Sequence, residues 1–319
     1  MTVGVLWKGK RRGRVPLPGK GALLIGSAFL SLMMVESAWG FTGISPPFTK
    51  AKDLVTNPPT CNRGFGEVSL LGGVSDATHL YFDDYCNDTT YRFGLKGGPI
   101  AKAQLAIANG LNLGLAISNG SYFGLADISS SIPSGLYAFN PNTLVLGPLL
   151  VPNSSFGGGY LAGITADPLS SDLYVSSGVG IYRVQNPLGT PIVTQFAAGS
   201  FDGLAFKRDG SVLYAAAPQG VAAFDRNGNL LFGVPISGGP DGIAVAPHGK
   251  KAHGLNVSDN VFVNTNSGNV VRIDVNNGNA VSTVATGGTR GDFVFVDAKG
   301  FLDVSQSDRY VRLYPNFFK

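Results

Sequence analysis

One short pattern, Asp202-Gly203-Leu204-Ala205-Phe206, identifies the architecture because it returns at intervals along the chain. Four of the five copies have a small or acidic residue beside a glycine, and one has Leu113 there; an alternating apolar strand and then a turn follow. The glycines of the copies, Gly114, Gly163, Gly203, Gly242 and Gly291, are spaced by 49, 40, 39 and 49 residues. Repeats of this length are typical of the blades of β-propellers. The other copies are Leu113-Gly114-Leu115-Ala116-Ile117, Ala162-Gly163-Ile164-Thr165-Ala166, Asp241-Gly242-Ile243-Ala244-Val245 and Gly291-Asp292-Phe293-Val294-Phe295.

Two further apolar segments follow the repeated stretch in a typical unit. In the unit of Gly163 they are Leu173-Tyr174-Val175 and Gly180-Ile181-Tyr182-Arg183-Val184. Turn pairs such as Asp209-Gly210 and Asn227-Gly228 separate such segments and supply the positive φ angles that tight hairpins need. Each unit is therefore predicted to be an antiparallel meander of strands.

The number of units and the two ends of the repeat predict a closed ring. Residues 66–98 form an earlier copy, which brings the total to six. The last unit, from Arg290 to Tyr314, has room for only three strands, whereas Lys50 to Thr56 forms a strand with no partner in its own unit. We predict an all-β, six-bladed β-propeller in which this N-terminal strand completes the last blade, which protects the strand edges from aggregation.

The first forty residues have the layout of a secretory signal peptide. A basic stretch from Lys8 to Lys20 precedes an apolar run from Ala22 to Val35, and Ala38-Trp39-Gly40 follows as a cleavage site. The apolar run is shorter than the roughly twenty residues that span a bilayer. We therefore predict a signal peptide at 1–40, an extension with the closing strand at 41–64 and the propeller at 65–319, in a protein that is secreted or periplasmic and not inserted in the membrane.

Removal of this leader changes the charge balance. The leader holds six of the 24 Lys and Arg but one of the 20 Asp and Glu, which leaves 18 basic and 19 acidic residues. A nearly neutral chain offers no electrostatic basis for binding nucleic acid. We expect a monomer with a small-molecule, glycan or protein ligand.

The chain has two cysteines, Cys61 and Cys86. Export would bring them into a compartment where disulfides persist. We predict that they pair, since the chain has no third cysteine to complete a metal site.

The six units resemble those of the propellers grouped around NHL repeats and the gluconolactonase and regucalcin family. The segment from Val261 to Asp274 also resembles the YVTN-type repeat of surface-layer propellers. The resemblance to gluconolactonase implies one divalent ion, held in the central channel by Glu, Asn and Asp. The candidate Glu is Glu67, the position of the Asn holds Asp202, and the Asp maps onto Asp241.

Asp202, Asp241 and Asp292 also have a physical argument of their own, since residues at the start of inner strands face the channel. Three carboxylates that converge there repel one another unless a cation or protons offset them. Calcium, which takes oxygen ligands, is the candidate cofactor. Alternatively, each Asp hydrogen-bonds only the backbone of its own turn.

Two long loops are candidates for a binding face, and the sequence contains no motif of a catalytic nucleophile. Ser118 to Ser134 reads as a serine-rich insertion, and a loop runs through Lys250, Lys251 and His253. Such loops either shape a binding face or are ordinary surface. No sequence motif identifies catalytic residues. The leading hypothesis is an exported propeller that binds a ligand on one face, and the alternative is a metal-dependent lactone or ester hydrolase.

Overall fold

The computed structural model describes residues 40–62, 67–247, 249–252 and 255–314. In this part of the chain, six antiparallel sheets of four or five strands form the blades of a propeller. The innermost strand of each blade contacts that of the next, and the inner strand of the sixth blade contacts that of the first. The six-bladed, all-β ring predicted from the repeat is confirmed.

The blades are numbered here in chain order, and the strands of each run from the inside outward. The first blade comprises Leu70–Ser75, His79–Asp84, Thr89–Gly94 and Leu105–Ala108. The second comprises Leu115–Ser118, Ser121–Ala126, Gly135–Phe139 and Leu146–Pro152. The third comprises Leu161–Ala166, Leu173–Ser177, Gly180–Gln185 and Ile192–Ala198.

The remaining three blades have the same order. The fourth comprises Leu204–Phe206, Leu213–Ala217, Gly220–Phe224 and Leu230–Pro235. The fifth comprises Pro240–Val245, Val261–Thr265, Val270–Asp274 and Ala280–Thr286, with Gly43–Ile44 added outside. The sixth comprises Gly291–Val296, Leu302–Gln306, Arg309–Tyr314 and Lys50–Thr56, with Gly98–Pro99 added in parallel.

Shorter elements connect or decorate the blades. Two small hairpins pair Cys61–Asn62 with Glu67–Val68 and Lys251–Ala252 with Leu255–Asn256. Two 3-10 turns cover Ile100–Lys102 and Asn153–Phe156. Among the described residues there is no helix with the length and hydropathy needed to span a membrane.

The predicted closing strand is confirmed. Lys50–Thr56 pairs antiparallel with Arg309–Tyr314, so the N-terminal strand supplies the outermost antiparallel strand of the sixth blade. Val55 is fully buried at this seam. The predicted leader lies outside the described residues except for Gly40.

The core consists of apolar layers between neighbouring blades, which explains why strands are apolar on both faces. In the second strand of the third blade, Tyr174 packs toward the fourth blade while Leu173 and Val175 pack toward the second. Successive side chains of a strand point to opposite faces, so a blade held between two neighbours needs apolar residues at consecutive positions.

The structure corrects one interpretation of the second blade. The segment Ser118 to Ser134, read as an insertion, contains the strand Ser121–Ala126, which pairs with both of its neighbours. The parts outside strands are the two-residue turn Asn119-Gly120 and the loop from Asp127 to Ser134. The strand was missed because it begins with polar residues and includes Gly124, whose missing side chain leaves room for Leu111 and Leu115.

The predicted disulfide between Cys61 and Cys86 is present. It ties the first small hairpin to the turn between two strands of the first blade. A bridge closing a loop of this length restricts the unfolded chain, with a contribution of about 3 kcal/mol to stability.

Candidate functional site

The repeated stretch places one residue of every blade around the mouth of the central channel. The Gly203 N–H donates to the carbonyl oxygen of Asp241 in the next blade, at 2.8 Å. A Cβ atom at Gly203 would lie 2.5 Å from that same oxygen. The glycine therefore lets neighbouring inner strands approach backbone to backbone, and the residue just before it faces the axis.

Six equivalent residues, which we call the ring positions, precede the residue at this close approach. Strand pairing and the inter-blade contacts identify them as Leu71, Leu113, Ala162, Asp202, Asp241 and Asp292. All six line one cavity of about 530 Å³, which we call the acidic cavity. The first three blades contribute apolar residues and the last three contribute carboxylates, so the two halves of the cavity differ in chemistry.

The last blade departs from the repeat in a way that the sequence pattern concealed. Gly291 looked like its repeat glycine, but a Cβ on Gly242 would meet the Asp292 carbonyl and the Phe293 Cα. Phe293 therefore occupies the position that glycine holds in the other blades. Its side chain lines both the acidic cavity and a second cavity of about 310 Å³ on the channel, which we call the apolar cavity.

The acidic half contains one arginine that sequence reasoning missed. Arg290 lies just before the inner strand of the sixth blade, and its Nη1 is 2.5 Å from Asp292 Oδ1. Its Nη2 is 3.4 Å from Asp241 Oδ2 in the fifth blade. Arg290 thus offsets part of the repulsion that the sequence analysis expected a metal ion or protons to relieve. The only sequence signal was its place next to the last repeated stretch.

One arginine does not neutralise the three carboxylates. Burial raises the pKa of Asp202 to about 7, and the charge of Asp292 raises it further than Arg290 lowers it. Burial also raises the pKa of Asp241 well above its ordinary value, with the charge of Asp202 as the next cause. For Asp292 the pKa is raised in the same direction by burial and then by Asp241. Near neutral pH, Asp202 is therefore partly protonated, and burial with mutual repulsion favours the protonated forms of Asp241 and Asp292 as well.

Two buried carboxylate oxygens on the cavity wall lack a hydrogen-bond partner within the described ranges. One is Asp292 Oδ2 and the other is Asp127 Oδ1. Asp292 is 3% exposed and Asp127 is 7% exposed. The half-buried carboxylate of Asp202 likewise has no side-chain partner among the described residues. Buried acceptors without donors are costly, so these oxygens indicate where a ligand donor would be stabilised.

The opposite rim of the cavity is formed by the first three blades. The Ser129 hydroxyl donates to Asp127 Oδ2 at 3.1 Å, and it lies 3.3 Å from the Tyr85 hydroxyl. Tyr85 is adjacent to Cys86, so the disulfide also restrains this part of the wall. Tyr160, with half of its surface exposed, and Ile128, with two thirds exposed, form an apolar edge of the opening.

The residues do not fit a divalent ion in this arrangement. Among the described residues, no group of three or more His, Cys, Asp or Glu side chains is placed to hold a metal. The guanidinium of Arg290 contacts two of the three candidate carboxylates. Glu67, the fourth candidate, is exposed on the first small hairpin and is not part of the cavity lining. The structure thus brings Asp202, Asp241 and Asp292 together and leaves Glu67 apart.

Comparison with known proteins supports the fold. The chain matches no protein-family model, and a search of curated proteins finds no relative. Among solved structures, it is similar to a regucalcin from Agrobacterium tumefaciens, described as a calcium-binding protein, at 15% identity over 82% of this chain and 95% of that one, with a TM-score of 0.59.

Two further structures are similar over a comparable length. A gluconolactonase from Xanthomonas campestris is 13% identical, with 83% of this chain and 88% of that one covered and a TM-score of 0.58. A Bacteroides thetaiotaomicron protein of unknown function is 11% identical, with 83% and 75% covered and a TM-score of 0.62. The predicted resemblance to these propellers is confirmed for the fold, and fold alone does not determine activity.

Proposed function

We propose that the protein is an exported β-propeller that binds a small molecule in the acidic cavity. The observation that carries this proposal is the division of the ring positions into an apolar and an acidic half around a single concave space. A volume of about 530 Å³ falls within the range of small-molecule sites, which combine apolar walls with a few convergent polar groups. A flat protein interface would not need such depth.

A thermal-shift screen of a small-molecule library tests this proposal. A ligand at a hundredfold its Kd should stabilise the protein by about 2.7 kcal/mol. Ala162→Phe, which fills the apolar half, and Asp241→Asn should both weaken binding. Glu67→Gln, a carboxylate change away from the cavity, should leave binding unchanged. Ligands that bind both cavity variants as well as the natural protein would contradict the proposal.

The runner-up is a metal-dependent lactone or ester hydrolase. The clustering of Asp202, Asp241 and Asp292 favours it, as does the likeness of the fold to a gluconolactonase and a calcium-binding regucalcin. Arg290 argues against it because the guanidinium takes up carboxylate oxygens that calcium would need.

Elemental analysis separates the two functions. The hydrolase predicts about one divalent ion per chain, and Asp241→Ala should lose both that ion and lactone hydrolysis. Folded, metal-free protein that is inactive on a panel of lactones would support the binding function.

The disulfide is compatible with the export that this proposal assumes. Expression with a detectable tag and fractionation of the cells tests the location. Protein retained in the cytoplasm with its first forty residues intact would contradict export.

A further inference from the structure

We propose that the ligand of the acidic cavity is an organic cation with an apolar group, whose ammonium contacts Asp202 and whose apolar group packs against Leu71, Leu113 and Ala162. This inference rests on the proposed function and deepens it by naming the class of ligand. It is carried by the placement of charges around the cavity and by the buried oxygens that lack donors.

The lining of the acidic cavity contains more carboxylates than cationic groups. Four aspartates, Asp127, Asp202, Asp241 and Asp292, line the cavity together with a single cationic side chain, Arg290. Arg290 contacts Asp292 and Asp241. No cationic side chain of the described residues contacts Asp202. Carboxylates therefore outnumber cations in the lining. Among the described residues, Asp202 and Asp127 have no cationic partner; Asp127 accepts a hydrogen bond from Ser129, whereas the Asp202 carboxylate has no side-chain donor.

The carboxylate oxygens that have no partner within the described part of the chain call for a hydrogen-bond donor. A carboxylate removed from water takes up a proton or is stabilised by a cation or by hydrogen-bond donors. Asp292 Oδ2, which has no partner among the described residues, is a buried acceptor on the same half of the cavity. An ammonium group has three donors and no acceptor, so it can serve both Asp202 and a neighbouring oxygen. An anionic ligand would be repelled, and a neutral one would leave the charge uncompensated.

The half of the cavity opposite the three ring carboxylates is lined mainly by apolar side chains. Leu71, Leu113 and Ala162 face the carboxylates across the opening, Phe293 forms the floor, and Tyr160 lies at the rim. These side chains are uncharged, although Asp127 lies on the same side of the cavity, and they would remain in contact with water beside a small inorganic cation. Burial of an apolar group there would add to the affinity in proportion to the area covered. Both halves are used only by a molecule that is cationic at one end and apolar at the other.

Four matched probes test the inference on the full protein by isothermal titration calorimetry. They are phenethylamine, phenethyl alcohol, which is neutral, ethylamine, which lacks the apolar group, and hydrocinnamate, which is anionic. Butylamine and hexylamine extend the series of cations. The measurements are made near pH 8 because the pKa of Asp202 is raised to about 7 and that of a primary amine lies near 10.

Apolar amines should bind more tightly than ethylamine, because burial of the apolar group adds to the affinity. They should also bind at least about tenfold more tightly than the matched alcohol or acid, which is the lower limit expected for a close charge pair. Asp202→Asn should remove that advantage and leave the alcohol unaffected. Glu67→Gln should change nothing. The fold of each variant is checked by its far-ultraviolet circular dichroism and its melting temperature.

Three outcomes would overturn the inference: no binding of any amine, equal binding of the alcohol or acid, or amine binding that survives Asp202→Asn. If a neutral or anionic compound from the library binds in a way that Ala162→Phe blocks, the small-molecule proposal stands and the cationic class is wrong. If Ala162→Phe and Asp241→Asn leave all binding intact, the proposed function itself is wrong.

Discussion

At the scale of single residues, the ring positions show how one backbone geometry can carry two chemistries. The glycine beside each of Ala162, Asp202 and Asp241 is fixed by the close approach of the next blade. The ring residue itself points its side chain into the cavity and has no such steric requirement. Leu71 and Leu113 belong to an apolar core cluster, whereas Asp202 and Asp241 present carboxylates to the cavity from the equivalent backbone position.

Asp202 should make the stability of the protein fall as the pH rises from about 4 to about 7. Its pKa is raised to about 7 in the folded state, against about 3.9 in an unfolded chain. The folded state thus binds more protons than the unfolded state between these two values, and stability declines with pH wherever that is so. Asp202→Asn should make this decline shallower, measured by urea unfolding across the range.

Asp209 in the same blade is the matched control for this measurement. Its pKa is lowered, chiefly by the hydrogen bond with Lys207, so its stabilising effect is complete above its unfolded pKa and is lost only as the pH falls below about 4. The difference between Asp209→Asn and the natural protein should stay constant from pH 4 to 7. An Asp202→Asn difference that is equally constant would show that the pKa of Asp202 is not raised by folding.

The sequence predicted all three acidic ring positions but not their partner. Asp202 and Asp241 precede the repeat glycine, and equivalent positions of a propeller meet at its axis. Asp292 was predicted because it lies at the start of an inner strand, although Gly291 is not the repeat glycine of that blade. Arg290 is placed beside them by the turn from the fifth blade into the sixth, which has no counterpart in the repeated pattern. Asp127 reaches the same cavity from a loop of the second blade, where no sequence period predicts its position.

At the scale of strands, the inner and outer strands of one blade differ in the space available for a side chain in place of glycine. Gly203 stands at the start of the inner strand of the fourth blade, where its neighbour is the backbone of Asp241 and Gly242. Gly233 lies in the outer strand of the same blade, and a Cβ there would be 3.9 Å from the nearest atom, the Val221 carbonyl oxygen. Neither residue has a positive φ angle.

Gly203→Ala should therefore destabilise the protein by about 1–3 kcal/mol or more, the range for overpacking of a filled interior. Backbone atoms cannot rotate away as a side chain can, so the blades must separate slightly. Gly233→Ala should be neutral or slightly stabilising, since alanine restricts the unfolded chain. Chemical denaturation of both variants measures the difference, and equal effects would show that inner strands do not pack as described.

Strand recognition from the sequence succeeded where turn pairs and apolar alternation agree, and failed in two identifiable places. Ser121–Ala126 was hidden by its polar beginning. In the sixth blade, Gly291 resembles the repeat glycine in the sequence, but the equivalent position is Phe293, two residues later. Both errors have the same cause. The position of a strand in a blade depends on the strands that pack against it, and the local sequence pattern does not show those contacts.

At the scale of the whole molecule, Phe293 divides the central channel. It stands in the acidic cavity and the apolar cavity at once, and a Cβ at Gly114 in the second blade would lie 3.5 Å from its ring. The other five blades have glycine at this position. Phe293 of the sixth blade is therefore the one ring-facing aromatic side chain at this level of the channel among the described residues.

Phe293→Ala should join the two cavities into one channel at a modest cost in stability. A fully buried phenylalanine loses about 3–5 kcal/mol on truncation to alanine. Phe82 is such a residue, with no exposed surface and its ring centroid 4.3 Å from that of Tyr310. Phe293 is only half-buried and already borders open space, so its truncation should cost less than half as much as Phe82→Ala in urea unfolding. A crystal structure of Phe293→Ala should show a continuous channel, and a loss of stability equal to that of Phe82→Ala would identify Phe293 as ordinary core.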